Sequence, residues 1–244
     1  RAVNSVSFSP LDQNVLLSGS QDGQMKLWDL RSSTSKPTIT MYGNADAVRC
    51  LKFSPFQNQK FVSIFDSGVI QKWDIRQALQ FEKKLNAHTG PGLTLDWNTE
   101  LDFIVSGGRD KQLQIWNMNS NDTRQIPVHV IYTSSPISKV CFRPNNNLTN
   151  IANAEVATSF LNNDLGQAQI YSLKRKYIPL FTIENHTAQI TGLNFQNEST
   201  LLSCCKDKSF VVDELANYRP TVENLRVATT TWSPDNNLLY VNQS

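Results

Sequence analysis

The stretch KLWDL at residues 26–30 is repeated as QKWDI at 71–75 and as QIWNM at 114–118. The three tryptophans of these stretches are 45 and 43 residues apart. Two weaker copies follow, in which Tyr171 and then Asp213 stand in the place of the tryptophan. The chain is therefore built from a repeated unit of about 40–45 residues.

A second motif begins each unit and ends in an aromatic residue. Its clearest copies are AVNSVSFSP at 2–10, AVRCLKFSP at 47–55 and ISKVCFRP at 137–144. Between the two motifs lie short apolar stretches, rich in β-branched and aromatic residues and separated by Asn, Asp, Gly, Ser and Pro. Such stretches are typical of β-strands, and no segment keeps a helical 3.6-residue period. The sequence predicts an all-β protein with four strands in each unit.

A unit of this length, with four strands and a Trp-Asp signature, is typical of the WD-repeat β-propeller, which this sequence resembles. The predicted blades are 1–42, 43–87, 88–132, 133–184 and 185–226, with an incomplete blade at 227–244. This makes about five and a half blades, whereas the family usually has about seven. We expect that the sequence is part of a longer chain or that a partner supplies the missing strands.

Composition argues against several classes of function. The 244 residues include 23 Lys and Arg against 21 Asp and Glu, a net charge of +2 that predicts no nucleic-acid partner. The four cysteines lack zinc-ligand spacing, which suits reduced thiols in a cytoplasmic protein. We find no run of 18 apolar residues and no catalytic or phosphate-binding motif. The sequence predicts neither an enzyme nor a cofactor or metal site, and no membrane insertion.

The resemblance implies a hydrogen-bonded structural tetrad that is complete in one blade and recurs incompletely in others. In the third blade its members are His88, Ser106, Asp110 and Trp116. The other blades keep partial tetrads, namely Ser18, Asp22 and Trp28 in the first and His186, Ser203 and Asp207 in the fifth. A catalytic triad of histidine, serine and aspartate is the alternative interpretation. The incomplete recurrence of the pattern favours a structural role.

Candidate interaction residues lie in the turns. In the family, the residue before the turn aspartate usually points to the top face of the propeller, and the resemblance assigns this place to Gln21, Asp66, Arg109 and Lys206. We call these four the top-face residues. Their mixed charges favour a specific protein partner over a polyanion, although ordinary polar turn residues would give the same pattern.

Two consecutive blades carry Trp-Asp-x-Arg, ending in Arg31 and Arg76. The pair resembles the WDxR boxes of substrate receptors for cullin-based ubiquitin ligases, in which both arginines face an adaptor subunit. Arginine suits such an interface because its planar group carries several donors. An arginine that merely pairs with a neighbouring turn is the alternative.

A closer resemblance runs through LLSGSQDGQMKLWDLR (16–31), SGVIQKWDIR (67–76), AHTGPGLTLDW (87–97) and PVHVIYTSSPISKVCFRP (127–144). This order is similar to the WD-repeat subunit 24 type of the second GATOR complex, called the SEA complex in fungi. The Asn-rich loops suit a fungal version. The resemblance implies a scaffold subunit, peripheral to the vacuolar or lysosomal membrane, that acts with other propeller and α-solenoid subunits in amino-acid signalling to the target-of-rapamycin kinase. The family's α-solenoid and C-terminal RING-type module are absent from these residues.

The unit before Tyr171 is longer than the others by about ten residues and contains the Asn-rich segment 145–155. We expect an excised or disordered loop at this segment.

Overall fold

The computed structural model describes residues 2–32, 36–43, 46–119, 126–161, 166–217, 227–232 and 238–242, the last two ranges by their backbone alone. These residues form 21 β-strands and three short 3₁₀ turns. The predicted fold class is confirmed: the chain is an all-β, partial WD-repeat propeller. The predicted end of the fifth blade at residue 226 lies outside the described residues.

The first three sheets each contain four strands. The first sheet consists of β1 (Val3–Phe8), β2 (Val15–Ser20), β3 (Gln24–Asp29) and β4 (Ile39–Tyr42). The second consists of β5 (Val48–Phe53), β6 (Lys60–Phe65), β7 (Val69–Asp74) and β8 (Phe81–Asn86). The third consists of β9 (Gly92–Trp97), β10 (Phe103–Gly108), β11 (Gln112–Asn117) and β12 (His129–Tyr132).

Three further sheets follow along the chain. The fourth consists of β13 (Ile137–Phe142), β14 (Glu155–Phe160), β15 (Ala168–Ser172) and β16 (Phe181–Ile183). The fifth consists of β17 (Ile190–Phe195), β18 (Thr200–Cys205) and β19 (Phe210–Glu214), and the sixth of β20 (Val227–Trp232) and β21 (Leu238–Asn242). The 3₁₀ turns are Ile75–Gln77, Ile151–Asn153 and Leu215–Asn217.

Every strand pairs in antiparallel fashion with the strand next to it in sequence, so each sheet is a meander. The first strands of neighbouring sheets contact one another in succession, from β1 through β5, β9 and β13 to β17. These five strands are therefore the innermost strands of five successive blades. We call the first five sheets the first to fifth blades.

The core consists of apolar layers between neighbouring blades. Leu17 and Met25 of the first blade pack with Leu51, Phe61 and Trp73 of the second. Comparable layers join the second blade to the third, the third to the fourth and the fourth to the fifth. Burial of this apolar surface is the main force that holds blade to blade.

The first and fifth blades each expose one face. On the first blade, Val6, Phe8 and Tyr42 are exposed on the face that points away from the second blade. On the fifth blade, Phe210 and Val212 are exposed on the face that points away from the fourth. Among the described residues of the middle three blades there is no comparable face, because apolar layers cover both of their sides.

The Asn-rich segment 145–155 is folded into the fourth blade, so of the two expectations, an excised or a disordered loop, the disordered one is wrong. Leu148 and Ile151 are buried against the apolar layer between the third and fourth blades. Asn150 begins the short 3₁₀ turn by accepting a hydrogen bond from the backbone N–H of Ala152 at 2.9 Å. Two apolar anchors and the capping by Asn150 hold the segment in place despite its polar composition.

Among the residues that the structure describes, no helix is both long and apolar enough to cross a membrane.

Candidate functional site

The third blade brings its four predicted tetrad residues into one hydrogen-bonded chain. The indole N–H of Trp116 donates to Ser106 Oγ over 3.2 Å, and Ser106 Oγ lies 3.0 Å from His88 Nε2. His88 Nδ1 lies 2.9 Å from Asp110 Oδ1. Because the Asp110 carboxylate can only accept, Nδ1–H donates to it, and in that tautomer Nε2 accepts from the Ser106 hydroxyl while Ser106 Oγ accepts from the indole.

Burial of this tetrad leaves a substrate no access to its hydroxyl. Ser106 is 0% exposed, and the side chain of His88 is also buried. Burial alone would raise the pKa of Asp110, but hydrogen bonds from His88 and from backbone N–H groups outweigh it and lower that pKa. The arrangement can fix the turn between β10 and β11 against the start of β9. It offers no accessible nucleophile.

The serine–tryptophan bond recurs in the first two blades. Trp28 donates to Ser18 over 2.9 Å, and Trp73 donates to Ser63 over 3.1 Å. Ser63 was not among the predicted residues, although it precedes its tryptophan by the same ten positions as in the other blades. Asp22 stabilises the turn between β2 and β3 by accepting a hydrogen bond from the backbone N–H of Gln24. This bond lowers the pKa of Asp22.

The fifth blade departs from the tetrad. His186 Nε2 lies 2.7 Å from Ser203 Oγ, as in the third blade, but Nδ1 lies 2.7 Å from Ser209 Oγ. Asp207 Oδ2 is 3.8 Å from Nδ1, beyond hydrogen-bonding distance. Asp207 instead accepts from the hydroxyl of Ser209, which lowers its pKa.

The top-face residues occupy equivalent turns and share one backbone contact. The backbone N–H groups of Gln21, Asp66, Arg109 and Lys206 each donate to a carbonyl of the segment just before that blade's innermost strand, over 2.9–3.1 Å. Gln21, Arg109 and Lys206 are exposed. Asp66 is partly buried and forms an ion pair with Arg49 at 2.8 Å.

A fifth residue shares this contact and was missed. The backbone N–H of Leu161 donates to Pro136 O over 2.9 Å, which places Leu161 in the equivalent turn of the fourth blade. Leu161 is followed by Asn162 and lies in a unit with a different spacing, and it was found only from this backbone contact. The top face therefore combines charged groups with an apolar one.

Arg31 and Arg76 have the same geometry on neighbouring blades. Arg31 binds both carboxylate oxygens of Asp29 at 2.9 Å, and Arg76 binds Asp74 in the same bidentate way. The hydrogen bonds from each arginine lower the pKa of its aspartate. The two arginine side chains are 58% and 67% exposed. The aspartates thus hold two guanidinium groups in fixed orientations at the surface.

The innermost strands each end in an aromatic residue, and a cavity of about 290 Å³ lies among those ends. Lys52 and Asp96 form an ion pair across it at 3.0 Å. The nearby charge of Asp96 raises the pKa of Lys52. Because Lys52 and Asp96 neutralise each other, neither residue contributes an unpaired charge to the cavity wall.

The fold and these recurring contacts define a WD-repeat β-propeller, present here in part. The family model described as "WD domain, G-beta repeat" matches residues 1–29, 79–117 and 177–212. The first match lies in the first blade. The second covers β8, the outer strand of the second blade, and most of the third blade, and the third covers β16, the outer strand of the fourth blade, and most of the fifth blade. The chain therefore contains WD repeats, which typically act as non-catalytic interaction domains.

The chain is similar to proteins named "Restriction of telomere capping protein 1" from several yeasts. It is 33% identical to the Saccharomyces cerevisiae protein, over 100% of this chain and 22% of that protein. It is 31% identical to the Kluyveromyces lactis protein, over 95% of this chain and 21% of that protein. It is 34% identical to the Vanderwaltozyma polyspora protein, over 100% of this chain and 22% of that protein. The chain thus spans about a fifth of the length of these relatives.

Proposed function

We propose that this chain is a non-catalytic interaction propeller of a scaffold subunit in a SEA/GATOR-type complex. In that role it recruits other proteins at the vacuolar or lysosomal surface, where the complex relays amino-acid sufficiency to the target-of-rapamycin kinase. The subunit is cytoplasmic and peripheral to the membrane through its complex. Its partners are other propeller and α-solenoid subunits.

The top face is the observation that carries the interaction role. Its turns are held by equivalent backbone hydrogen bonds, so Gln21, Arg109 and Lys206 project from a rigid frame at low entropic cost. A surface that combines charged groups of both signs with the apolar side chain of Leu161 is suited to binding a protein partner. The assignment to a SEA/GATOR-type complex rests on the sequence resemblance through blades one to four. The much greater length of the yeast relatives agrees with a propeller that is one part of a larger subunit.

Native affinity purification of the full-length protein tests this proposal. We expect mass spectrometry to recover propeller–solenoid subunits of the SEA/GATOR type. The double variant Arg109→Glu and Lys206→Glu should reduce recovery of proteins that bind the top face. The same charge reversal at Lys84 and Lys174, away from that face, is the matched control. A full-length protein that runs as a free monomer in gentle lysate would contradict the proposal.

A ubiquitin-ligase substrate receptor is the second candidate, favoured by the matched geometry of Arg31 and Arg76. Both arginines bind their aspartates, and Arg31 also pairs with Asp12 at 3.3 Å, but both guanidinium groups stay largely exposed and so accessible to a partner. Changing both arginines to Ala should abolish binding of a cullin adaptor. The thermal midpoint should hardly change, because exposed ion pairs contribute about 0–1 kcal/mol each. Unaltered adaptor binding by the double variant, in a pull-down or by calorimetry, would exclude this candidate.

A further inference from the structure

Three potential metal ligands meet at the edge of the fifth blade. They are His186, Cys205 and Asp207, and their nitrogen, sulfur and oxygen ligand atoms all lie within 4.8 Å of one another. His186 and Cys205 are buried, while Asp207 is partly exposed in the turn after β18. The three residues thus face the protein interior at His186 and Cys205 and are accessible to solvent at Asp207.

Comparison with the third blade shows what the cysteine changes. SGGRD at 106–110 corresponds to SCCKD at 203–207, so Cys205 stands where the third blade has Gly108. A Cβ at Gly108 would lie 2.8 Å from His88 Nδ1 and 3.0 Å from Asp110 Oδ1. A cysteine there places its side chain against the imidazole and the carboxylate. The histidine–aspartate distance is 3.8 Å in the fifth blade, where Ser209 Oγ also lies between the two groups, and 2.9 Å in the third.

We propose that His186, Cys205 and Asp207 form a binding site for Zn²⁺ or a similar thiophilic divalent transition-metal ion. Imidazole, thiolate and carboxylate are the ligands that Zn²⁺ prefers, at about 2.0–2.3 Å. Ligand atoms around a tetrahedral ion at those bond lengths are separated by about 3.3–3.8 Å. The observed 3.8 Å between His186 Nδ1 and Asp207 Oδ2 lies at that separation, and the ligand atoms of all three residues, the thiol included, lie within 4.8 Å of one another. Water from the open side supplies the fourth ligand.

The hydrogen bonds of His186, Ser209 and Cys205 show where each proton at the site goes when the ion binds. Ser203 already holds His186 Nε2 at 2.7 Å, so it accepts Nε2–H once Nδ1 binds the ion, and this fixes the imidazole plane. The hydroxyl of Ser209, which now bridges Nδ1 and Asp207, turns to solvent because Ser209 is partly exposed. The thiol of Cys205 now donates to Ala188 O at 3.0 Å. Binding converts it to the thiolate and releases that one proton.

The fifth blade also lacks the residue that completes the tetrad elsewhere. Asp213 occupies the place of Trp116 and accepts from Asn185 Nδ2 at 2.5 Å. Ser203 therefore receives no hydrogen bond from an indole N–H at this position, whereas Ser106 receives one from Trp116. A bound ion would restore a rigid link between the histidine and the turn aspartate, which the third blade achieves with a direct hydrogen bond.

Titration of the purified, reduced chain with Co²⁺ tests the site, because a thiolate–cobalt bond has a near-ultraviolet charge-transfer band. We expect one equivalent to produce the band and Zn²⁺ to displace it. Cys205→Gly, which reproduces the third blade, should abolish the band, and Asp207→Asn should weaken the affinity by more than about tenfold. Ser209→Ala removes a competing hydrogen bond and should keep the band.

The adjacent, exposed Cys204 is the matched control, since its thiol points away from the cluster on the other face of β18. Cys204→Ser should leave the titration unchanged. Circular dichroism shows whether each variant keeps its fold, and Asp207→Asn is a second variant that leaves the cysteine in place. The proposal is overturned if the chain gives no band, if the band persists in Cys205→Gly, or if Cys204→Ser removes it.

Discussion

Trp116→Ala should lower the free energy of unfolding by about 3–5 kcal/mol, the usual cost of truncating a fully packed aromatic side chain. Trp116 is 3% exposed and packs in the layer between the second and third blades. Its removal opens a cavity and also takes away the N–H that donates to buried Ser106. Denaturant unfolding followed by circular dichroism measures the loss.

Two variants calibrate this result. Trp28→Ala removes the same kind of bond, to Ser18, but Trp28 is only partly buried because its face of the first blade is uncovered. We expect a cost below about 3 kcal/mol there. Arg109→Ala on the top face should change stability by no more than about 0.5 kcal/mol. Equal, mild losses for Trp116→Ala and Arg109→Ala would show that the tetrad does not stabilise the blade.

Gly68→Ala should be nearly as damaging, with a loss of about 2–4 kcal/mol. Gly68 lies in the turn between β6 and β7 with a φ of +79°, a conformation that L-residues rarely adopt. A Cβ there would lie 2.3 Å from His88 O and 2.5 Å from Gly90 O. These are backbone atoms, so relief requires moving the segment that carries His88, and the tetrad would be disturbed as well.

Gly90→Ala is the matched control for Gly68→Ala. The nearest atom to a Cβ at Gly90 is Arg109 Cβ, at an ordinary 4.0 Å. Gly90→Ala should therefore stay within about 0.5 kcal/mol of the wild type in the same denaturant titration. If the two glycine variants unfold alike, the close approach of Gly68 to the next blade is not energetically important.

The sequence was sufficient for the fold because the propeller signal is local. The Trp-Asp motif, its spacing and the alternating apolar stretches each report on one blade, and the contacts of the third-blade tetrad follow from aligning one blade with the next. Ser63 could have been found in the same way, since it precedes Trp73 by the same ten residues that separate serine and tryptophan in the first and third blades.

Other features depend on packing that no local pattern records. Leu148 and Ile151 lie in a polar segment and are buried only because the layer between two blades accepts them. His186 and Asp207 are separated where Cys205 replaces a glycine and where Ser209 bridges the two groups, and motif matching treats both positions as spacers. Both cases are decided by the volume and direction of a side chain.

The meander order has a consequence for how the protein folds. Because each strand pairs with its neighbour in sequence, a blade can form from a single continuous stretch with little loop-closure entropy, and folding can spread from one blade to the next. The three middle blades are held on both faces and the first and fifth on one. Amide hydrogens should therefore exchange slowest in β6, β10 and β14, and opening should begin at the first and fifth blades.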